Sequence, residues 1–460
     1  MEEFGMDSQT GFRPDRGTID GLFTTFVGLH KRKEHGLETW ALFIDLVKAF
    51  DTVPREALFA ILRRFGSPDH FVNIVIRLHE KALINVKIGE DDSEVESSIG
   101  VRQGSCEGPI LFLFIMQAAM ETLTWPVAKP VFRTRSKGVT MGERSFRKRD
   151  ASSFDLWTSL FADDCAIFFN SRADLELGAS YLFNHLRRFG LMMHIGVDTT
   201  LSKTEAMYFP PPRVDYSTAD TSRLDIRNAD GSTVGFVDFT KEFKYLGSII
   251  DSSLTSDADV NMRIKSATSA FGALKNVLTS LSVDLRVKGR IYNALVLSIL
   301  LYGSEAWCLR EDLFNRLRSF HNRCVRSMCR ITMAHTMKHR ITSKSLFERL
   351  GVGSFDSYYN RRLLRWAGHV ARMPMDRMPR KLLTGWVEHA RPVGCPKMTW
   401  GRTLNKALKS YDIPTDFGQW SILAADRRVW QQRIGIRAPC PRPATTLIHD
   451  KWRELFDGPT

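Results

Sequence analysis

The stretch FADDCAIFF, residues 161–169, sets two adjacent carboxylates, Asp163 and Asp164, inside an otherwise apolar, strand-like run. Neighbouring carboxylates raise one another's pKa, and burying charge without a partner is costly. The pattern therefore calls for a cation that the sequence does not supply. A second acidic pattern stands in LFIDLVKAFD, residues 42–51, where Asp45 closes an apolar run and Asp51 follows six residues later. Strands from separate parts of a chain that each end in an acid can deliver carboxylates to one point. Such oxygen ligands suit hard cations like Mg2+, which shares its coordination with substrate phosphates. Two such ions about 4 Å apart can activate a hydroxyl nucleophile and stabilise the leaving oxygen of a phosphoryl displacement. An Ala-Asp-Asp tripeptide by itself reads as readily as a turn or a helix cap, so the order and spacing of the surrounding blocks decide.

The elements that must position these acids form a mixed pattern. TWALFIDL (39–46) reads as a strand, and PREALFAILRRFG (54–66) as a helix with Pro54 in its first turn and Gly66 at its C-terminal end. A helix over 69–81 and a strand over 83–88 follow. Gly100, Gly104 and Gly108 punctuate GVRQGSCEGP ahead of the apolar run ILFLFIMQAAM, the signature of a glycine-rich loop feeding a buried helix. Residues 131–150, VFRTRSKGVTMGERSFRKRD, are basic and unpatterned and read as an exposed loop. Beyond the acidic pair, Leu175, Ala179, Leu182, Leu186 and Phe189 recur at helical spacing up to Gly190. Strand signals return at 205–209 and 243–250 with a polar segment, 210–235, between them. From residue 257 the pattern becomes helical, with Val260, Ile264, Ala267, Phe271, Leu274 and Leu278 in one stripe.

Composition narrows the partner. The 460 residues, 43% of them hydrophobic, can bury a large core in two or three domains, and 65 Lys and Arg against 51 Asp and Glu give a net charge of +14. That balance favours a polyanion such as nucleic acid. The excess is concentrated: residues 310–380 hold sixteen Lys or Arg against five Asp or Glu. This stretch reads either as a solvated helix surface or as an electrostatic groove for a duplex backbone, and the second reading is preferred. Seven scattered cysteines, Cys395 and Cys440 among them, with no signal peptide at Met1, predict a reduced, intracellular protein. Apolar runs such as LVLSILLY (295–302) fall short of the roughly 20 residues of a membrane span, so no membrane segment is expected.

GFRPDRGTID, FIDLVKAFD, GVRQGSCEGP, FADD, SKTEAMYF and FKYLGSII follow one another in the order and spacing of successive reverse transcriptase blocks. They resemble those of non-LTR, LINE-type retrotransposon polymerases, and FHNRCVRSMCR and LLRWAGHVARM resemble the region that follows. The resemblance implies an α+β right-hand polymerase: partial fingers and an antiparallel palm sheet over 1–250, a helical thumb over 251–330 and a basic helical C-terminal region over 331–460. It implies an RNA-directed DNA polymerase that adds deoxynucleotides to a primer 3′-hydroxyl, with an RNA template, a DNA primer or target, and deoxynucleoside triphosphates as partners. Asp45, Asp163 and Asp164 match the metal-binding catalytic acids, for two Mg2+ or substituting Mn2+, with the Leu46 carbonyl beside them and the Asp pair on a hairpin turn.

By the same resemblance Phe50 is the steric gate under the sugar. A ring held against C2′ leaves no room for a hydroxyl, although core packing would also account for it. Gln103 and Gly104 match the nucleotide loop, and Lys203 the lysine that protonates pyrophosphate, with a solvated surface lysine as the alternative. Phe243, Lys244, Tyr245, Leu246 and Gly247 match the primer grip. Arg13 and Arg16 match a fingers block near template or triphosphate.

Two departures stand out. Ser105-Cys106-Glu107 replaces the Cys-Pro-Leu of many relatives. The chain also opens at what resembles the second fingers block, so an N-terminal truncation is expected, without an endonuclease. A catalytically inactive nucleic-acid-binding relic and an RNA-dependent RNA polymerase are the rival readings; Phe50 speaks against the latter. Action in nucleus and cytoplasm is expected from family behaviour, with Arg147-Lys148-Arg149 a scattered basic cluster. Cys324, Cys329, His335 and His339 have zinc-like spacing, but FHNRCVRSMCR reads better as one basic amphipathic helix with Cys324 on its apolar side. Trp366 and Trp400 are candidates either for base stacking or for the core.

Overall fold

The computed structural model describes residues 5–80, 82–89, 91–135, 151–392 and 398–435. Chain order begins with helix α1 (Thr18–Glu34), strand β1 (Thr39–Ile44), helices α2 (Arg55–Arg64) and α3 (Asp69–His79), the hairpin β2 (Leu83–Ile88) and β3 (Asp91–Glu96), and helix α4 (Gly108–Glu121). A second hairpin, β4 (Val131–Arg135) and β5 (Ala151–Asp155), precedes β6 (Thr158–Phe161), β7 (Asp164–Phe169) and helix α5 (Arg172–Arg187). Strands β8 (Glu205–Phe209), β9 (Leu224–Arg227), β10 (Thr233–Phe239), β11 (Glu242–Tyr245) and β12 (Ser248–Asp251) complete this half, an α+β arrangement.

The site rests on a six-stranded sheet in the order β6-β7-β1-β8-β10-β9, antiparallel except where β10 meets β8. Strand β1 lies in the middle and is buried at every residue, which is why it reads as an unbroken apolar run. Its side chains alternate between two cores, as the pleat requires. Ala41 and Phe43 join Ala166, Phe168, Met207 and Phe209 on the face covered by α1, while Trp40, Leu42 and Ile44 join Cys165, Ile167 and Phe169 on the face covered by α4 and α5.

Beyond residue 251 the chain is helical: α6 (Asp257–Ala273), α7 (Lys275–Leu278), α8 (Leu285–Tyr292), α9 (Ser298–Leu300), α10 (Glu311–Met328), α11 (Met333–Lys338), α12 (Ser343–Leu350), α13 (Phe355–Arg372), α14 (Met378–Thr384), α15 (Trp400–Lys409), α16 (Phe417–Ala425) and α17 (Arg427–Arg433). Side chains at Asp284, Thr342, Ser354, Thr399, Asp416 and Asp426 accept from the first free amides of their helices, which fixes where these segments start.

The C-terminal region packs onto α1 of the sheet-bearing half. Trp366 and Trp400 stand edge-on to Phe23 of α1 at 5.5 and 4.9 Å, and Arg377 donates to Asp20 at 3.0 Å. Both tryptophans are therefore core residues. Burial raises the Asp20 carboxyl to about 6, against the opposing pull of Arg377.

Three sequence expectations need correction. Residues 131–135 are a strand, not part of an exposed loop; Phe132 stacks on Phe154 across the hairpin at 5.5 Å, a pairing only tertiary contact reveals. Residues 136–150, with Arg147-Lys148-Arg149, lie outside the described residues, as do Cys395 and Cys440. The polar segment 210–235 contains β9, whose two apolar residues, Leu224 and Ile226, are too few to announce a strand, and the start of β10. Residues 243–250 are not one strand but two, turning at Leu246 (φ +46°) and Gly247 (φ +80°).

The opening block is tied in by Ser8 and Thr10. Leu160 donates to the Ser8 carbonyl at 2.9 Å, and Thr10 donates back to the Leu160 carbonyl at 2.8 Å.

Candidate active site

Strands β6 and β7 are joined by the tightest of hairpins: Phe161 pairs with Asp164, leaving Ala162 and Asp163 as the turn. Ala162 sits at φ +55°, a left-handed conformation that costs a residue with a Cβ roughly 1–2 kcal/mol. On the neighbouring strand the last pair is Ile44 with Cys165, so Asp45 leaves β1 one step further on, opposite Asp164. Its backbone is pinned there. The His194 amide donates to the Asp45 carbonyl at 2.8 Å, and the Asp45 amide donates to Thr204 Oγ1 at 3.2 Å.

The acids feel each other. Asp164 reaches solvent, yet its carboxyl is pushed up to about 6 by partial burial first, then by Asp163 and Asp45. Asp163 is raised by partial burial and by Asp45. No cationic side chain among the described residues figures in either shift. The pair stands at the rim of the sheet rather than deep in the core, which corrects the expectation of two buried charges. Among the described residues no group of three or more His, Cys, Asp or Glu closes into a metal cage. Mg2+ held through one or two carboxylates and substrate phosphates needs none, and an all-oxygen, mutually repelling acid set fits that chemistry.

The sequence-predicted neighbours are arranged around this point to different degrees. An isolated bridge pairs Leu46 with Met193 through the bonds of the flanking residues, so the bridge leaves the Leu46 carbonyl unused. Phe50 is half-buried and stacked on Phe112 at 4.7 Å, and its carbonyl accepts from Val101 at 2.8 Å. Gln103 donates to Asp51 Oδ1 at 2.7 Å, which assigns Asp51 to bracing this loop, and the adjacent Gly104 takes φ +80° in open space. Lys203 is exposed; its amide donates to His194 Nδ1 at 3.3 Å, next to the threonine that holds Asp45.

In the β11–β12 hairpin, Phe243 stacks on Phe43 at 4.5 Å and Tyr245 donates to the Ser159 carbonyl at 3.0 Å, while Lys244 faces solvent. Tyr302 donates to the Leu246 carbonyl at 2.9 Å and Arg263 to that of Gly247, so the turn is fastened to the helical half.

Arg13 and Arg16 are not presented to a ligand. Arg13 is 5% exposed and donates to the Met6 carbonyl at 2.6 Å, and Arg16 pairs with Asp7 at 2.7 Å; both brace the N-terminal loop. The zinc spacing forms no site among the described residues: Cys324 is buried on α10, whereas the exposed rings of His335 and His339 lie against each other at 4.2 Å.

Sequence reasoning missed Gln9. It is buried against the Ala162–Asp163 turn, and its only sequence signal was its place two residues before the GFRPDR block.

A basic face also emerges on α13. Arg361, Arg365, His369 and Arg372 follow one another at helical spacing, and His369 and Arg372 are depressed by burial first, with neighbouring arginines, Arg427 of α17 among them, adding to it. Among the described residues only Arg362 of the α13 arginines has an ion-pair partner, Glu305 at 2.6 Å.

Residues 2–250 match the family model described as reverse transcriptase (RNA-dependent DNA polymerase). A transposon-derived protein of Caenorhabditis elegans is 29% identical over 228 residues, 47% of this chain and 81% of that protein. The retrovirus-related Pol polyprotein of the type-2 retrotransposable element R2DM of Drosophila melanogaster is 24% identical over 187 residues, 40% of this chain and 16% of its own length. A protein named "Probable RNA-directed DNA polymerase from transposon BS", also from Drosophila melanogaster, is 23% identical over 393 residues, 82% of this chain and 39% of that one. The chain thus spans most of the worm protein but well under half of either fly polymerase.

Among solved structures, apo telomerase from Candida tropicalis has a TM-score of 0.38 at 11% identity, covering 98% of this chain and 58% of that one. Telomerase from Candida albicans with a fragment of telomeric RNA has a TM-score of 0.28 at 11% identity, covering 82% and 54%.

Proposed function

Because this chain belongs to the reverse transcriptase family, we propose that it copies RNA into DNA, joining deoxynucleotides to a primer 3′-hydroxyl at the carboxylates Asp45, Asp163 and Asp164. The observation that carries this reading is the convergence of those three acids from two adjacent strands, with no cationic side chain among the described residues figuring in the shifts of Asp163 and Asp164. In the reaction the primer oxygen forms a bond to the α-phosphorus of the triphosphate as the bond to pyrophosphate breaks. Two Mg2+ ions, or Mn2+ in their place, supply hydroxyl activation and charge neutralisation when bound. Asp45, Asp163 and Asp164 would hold them, with the Leu46 carbonyl adjoining.

The remaining residues position and select. Gln103 and Gly104 shape the loop that faces the nucleotide; glycine there lets backbone approach a ligand closely. Lys203, whose amide bonds His194 beside Asp45, would give a proton to departing pyrophosphate. The 243–247 hairpin, fastened to both the sheet and the helical half, holds the primer end. Catalysis of this kind rests on positioning and charge more than on side-chain acid-base work. The α13 face that carries Arg361, Arg365 and Arg372, none of them in an ion pair among the described residues, is a surface for the phosphate backbone.

The test is extension of oligo(dT) on poly(rA) by purified protein with Mg2+ and dTTP, beside UTP. Extension with dTTP alone is the expected result. Salt-sensitive binding of the duplex without any extension would instead identify a nucleic-acid-binding protein that has lost catalysis.

Selection against ribonucleotides gives a separate check. Phe50→Ala removes the ring beside the sugar, and the preference for dTTP over UTP is expected to fall by about 100-fold or more, through the UTP term of kcat/KM. An unchanged ratio with intact dTTP use would leave Phe50 as packing for Phe112.

A further inference from the structure

The acids sit on a turn that ought not to be stable by itself. Ala162, at φ +55°, has no side chain that favours this conformation, and strained residues persist only where their surroundings over-determine them. Cys165 Sγ donates to the Asp163 carbonyl at 3.3 Å, and the backbone of Ala162 itself is held by one side chain. Gln9 is 3% exposed; its Oε1 accepts from the Ala162 amide at 2.9 Å and from the Gly11 amide at 2.9 Å, and its Nε2 donates to the Ala162 carbonyl at 3.3 Å. Both polar ends of a single amide thus close on the backbone of a single turn residue.

The supporting chain is held as firmly. Ser8 and Thr10 flank Gln9 and bond to Leu160 of β6, and Thr10 Oγ1 adds a further bond to the Leu160 carbonyl at 3.0 Å. Gly11 passes so close that a Cβ there would meet the Ala162 amide nitrogen at 2.5 Å.

We propose that Gln9 is a positioning residue: its amide locks the Ala162–Asp163 turn and thereby sets how tightly Asp163 and Asp164, with Asp45, bind a divalent cation. This rests on the reading of those carboxylates as a cation site. Without the amide the turn relaxes toward negative φ and carries the Asp163 carboxylate away from Asp45. A displacement of that order can cost on the order of 10²-fold in rate.

Gln9→Met keeps length and shape but removes all three hydrogen bonds. Gln9→Glu keeps an acceptor for the two amides and sets its second oxygen against the Ala162 carbonyl. The probe is Mn2+, titrated by electron paramagnetic resonance without nucleotide, beside primer-extension kinetics and a thermal melt.

In Gln9→Met the Mn2+ dissociation constant is expected to rise about tenfold and kcat to fall about 10- to 100-fold, with KM for dTTP changed by less than about threefold. Gln9→Glu is expected to fall between it and the wild type. A lower melting temperature with unchanged Mn2+ affinity and kcat would make Gln9 a fold brace and overturn the proposal. Should Gln9→Met fail to fold, Gln9→Glu is read in the same way, and wild-type Mn2+ affinity in it overturns the proposal equally.

The polymerase reading fails separately. A wild type that binds Mn2+, loses it in Asp163→Asn and yet extends no primer contradicts catalysis, while Gln9 is still judged from Mn2+ affinity. A wild type that binds no Mn2+ overturns both.

Discussion

Asp163→Asn is expected to reduce primer extension on the order of 10³-fold or more while leaving duplex binding intact. The size follows from what the carboxylate does. Removing one preorganised neutral donor at a reacting oxygen already costs about 10²–10³-fold, and on the function proposed above a charged ligand to the activating cation is lost. The structure adds a second expectation of opposite sign. Asp163 and Asp164 are raised by partial burial and by the charge of their neighbours, so in metal-free protein the ionised pair opposes folding. Asn at 163 removes one of the repelling charges, and the metal-free melting temperature should rise even as activity disappears. Single-turnover extension and a melt in chelator measure the two. Extension that survives the substitution would take Asp163 out of the cation site.

Trp400→Ala is expected to be the most damaging of the single substitutions to stability, by about 3–5 kcal/mol. Trp400 is 6% exposed, meets Phe23 edge-on at 4.9 Å and donates from its indole nitrogen to the Glu305 carbonyl at 2.7 Å. Truncation opens a cavity where the C-terminal region meets α1 and leaves a buried carbonyl without its donor, a further cost. The urea midpoint reads this directly. Binding of single strands should be unchanged once the variant's lower folded fraction is accounted for. A stable variant that instead binds single strands more weakly, by about 1–3 kcal/mol, would return Trp400 to the role of a stacking platform.

The same tryptophan shows why some features were legible and others not. FADDCAIFF and FIDLVKAFD announced acids at strand ends because a strand buried on both faces must be apolar until it reaches the rim, and the charge marks the rim. The helix over 172–187 was legible for the same local reason, its apolar residues recurring at helical spacing.

Strand β9 was illegible because two alternating apolar residues are not a pattern. The 131–135 strand was illegible because its partner lies across 15 residues of unpatterned chain. Arg13 matched a ligand-facing block by type and position, yet folding turned its guanidinium inward to satisfy backbone carbonyls. A side chain's direction is decided by which unpaired acceptors lie nearest, and these are set by the whole fold.

The sequence by itself determined the candidate chemistry: three aspartates at or beside strand ends, a glycine-rich loop, a basic helical half and the order of the blocks that carry them. Periodicity and residue type are local properties, and they survive without any knowledge of contacts. What only the tertiary structure decided is which of these residues meet. It put Asp45 opposite Asp164 by the β1–β7 register, buried Trp366 and Trp400 against the first helix, and closed Gln9 over a turn 153 residues away. Hydrogen bonds and packing act across a few ångströms of space whatever the separation along the chain, so the clamp on the Ala162–Asp163 turn has no local signature to read.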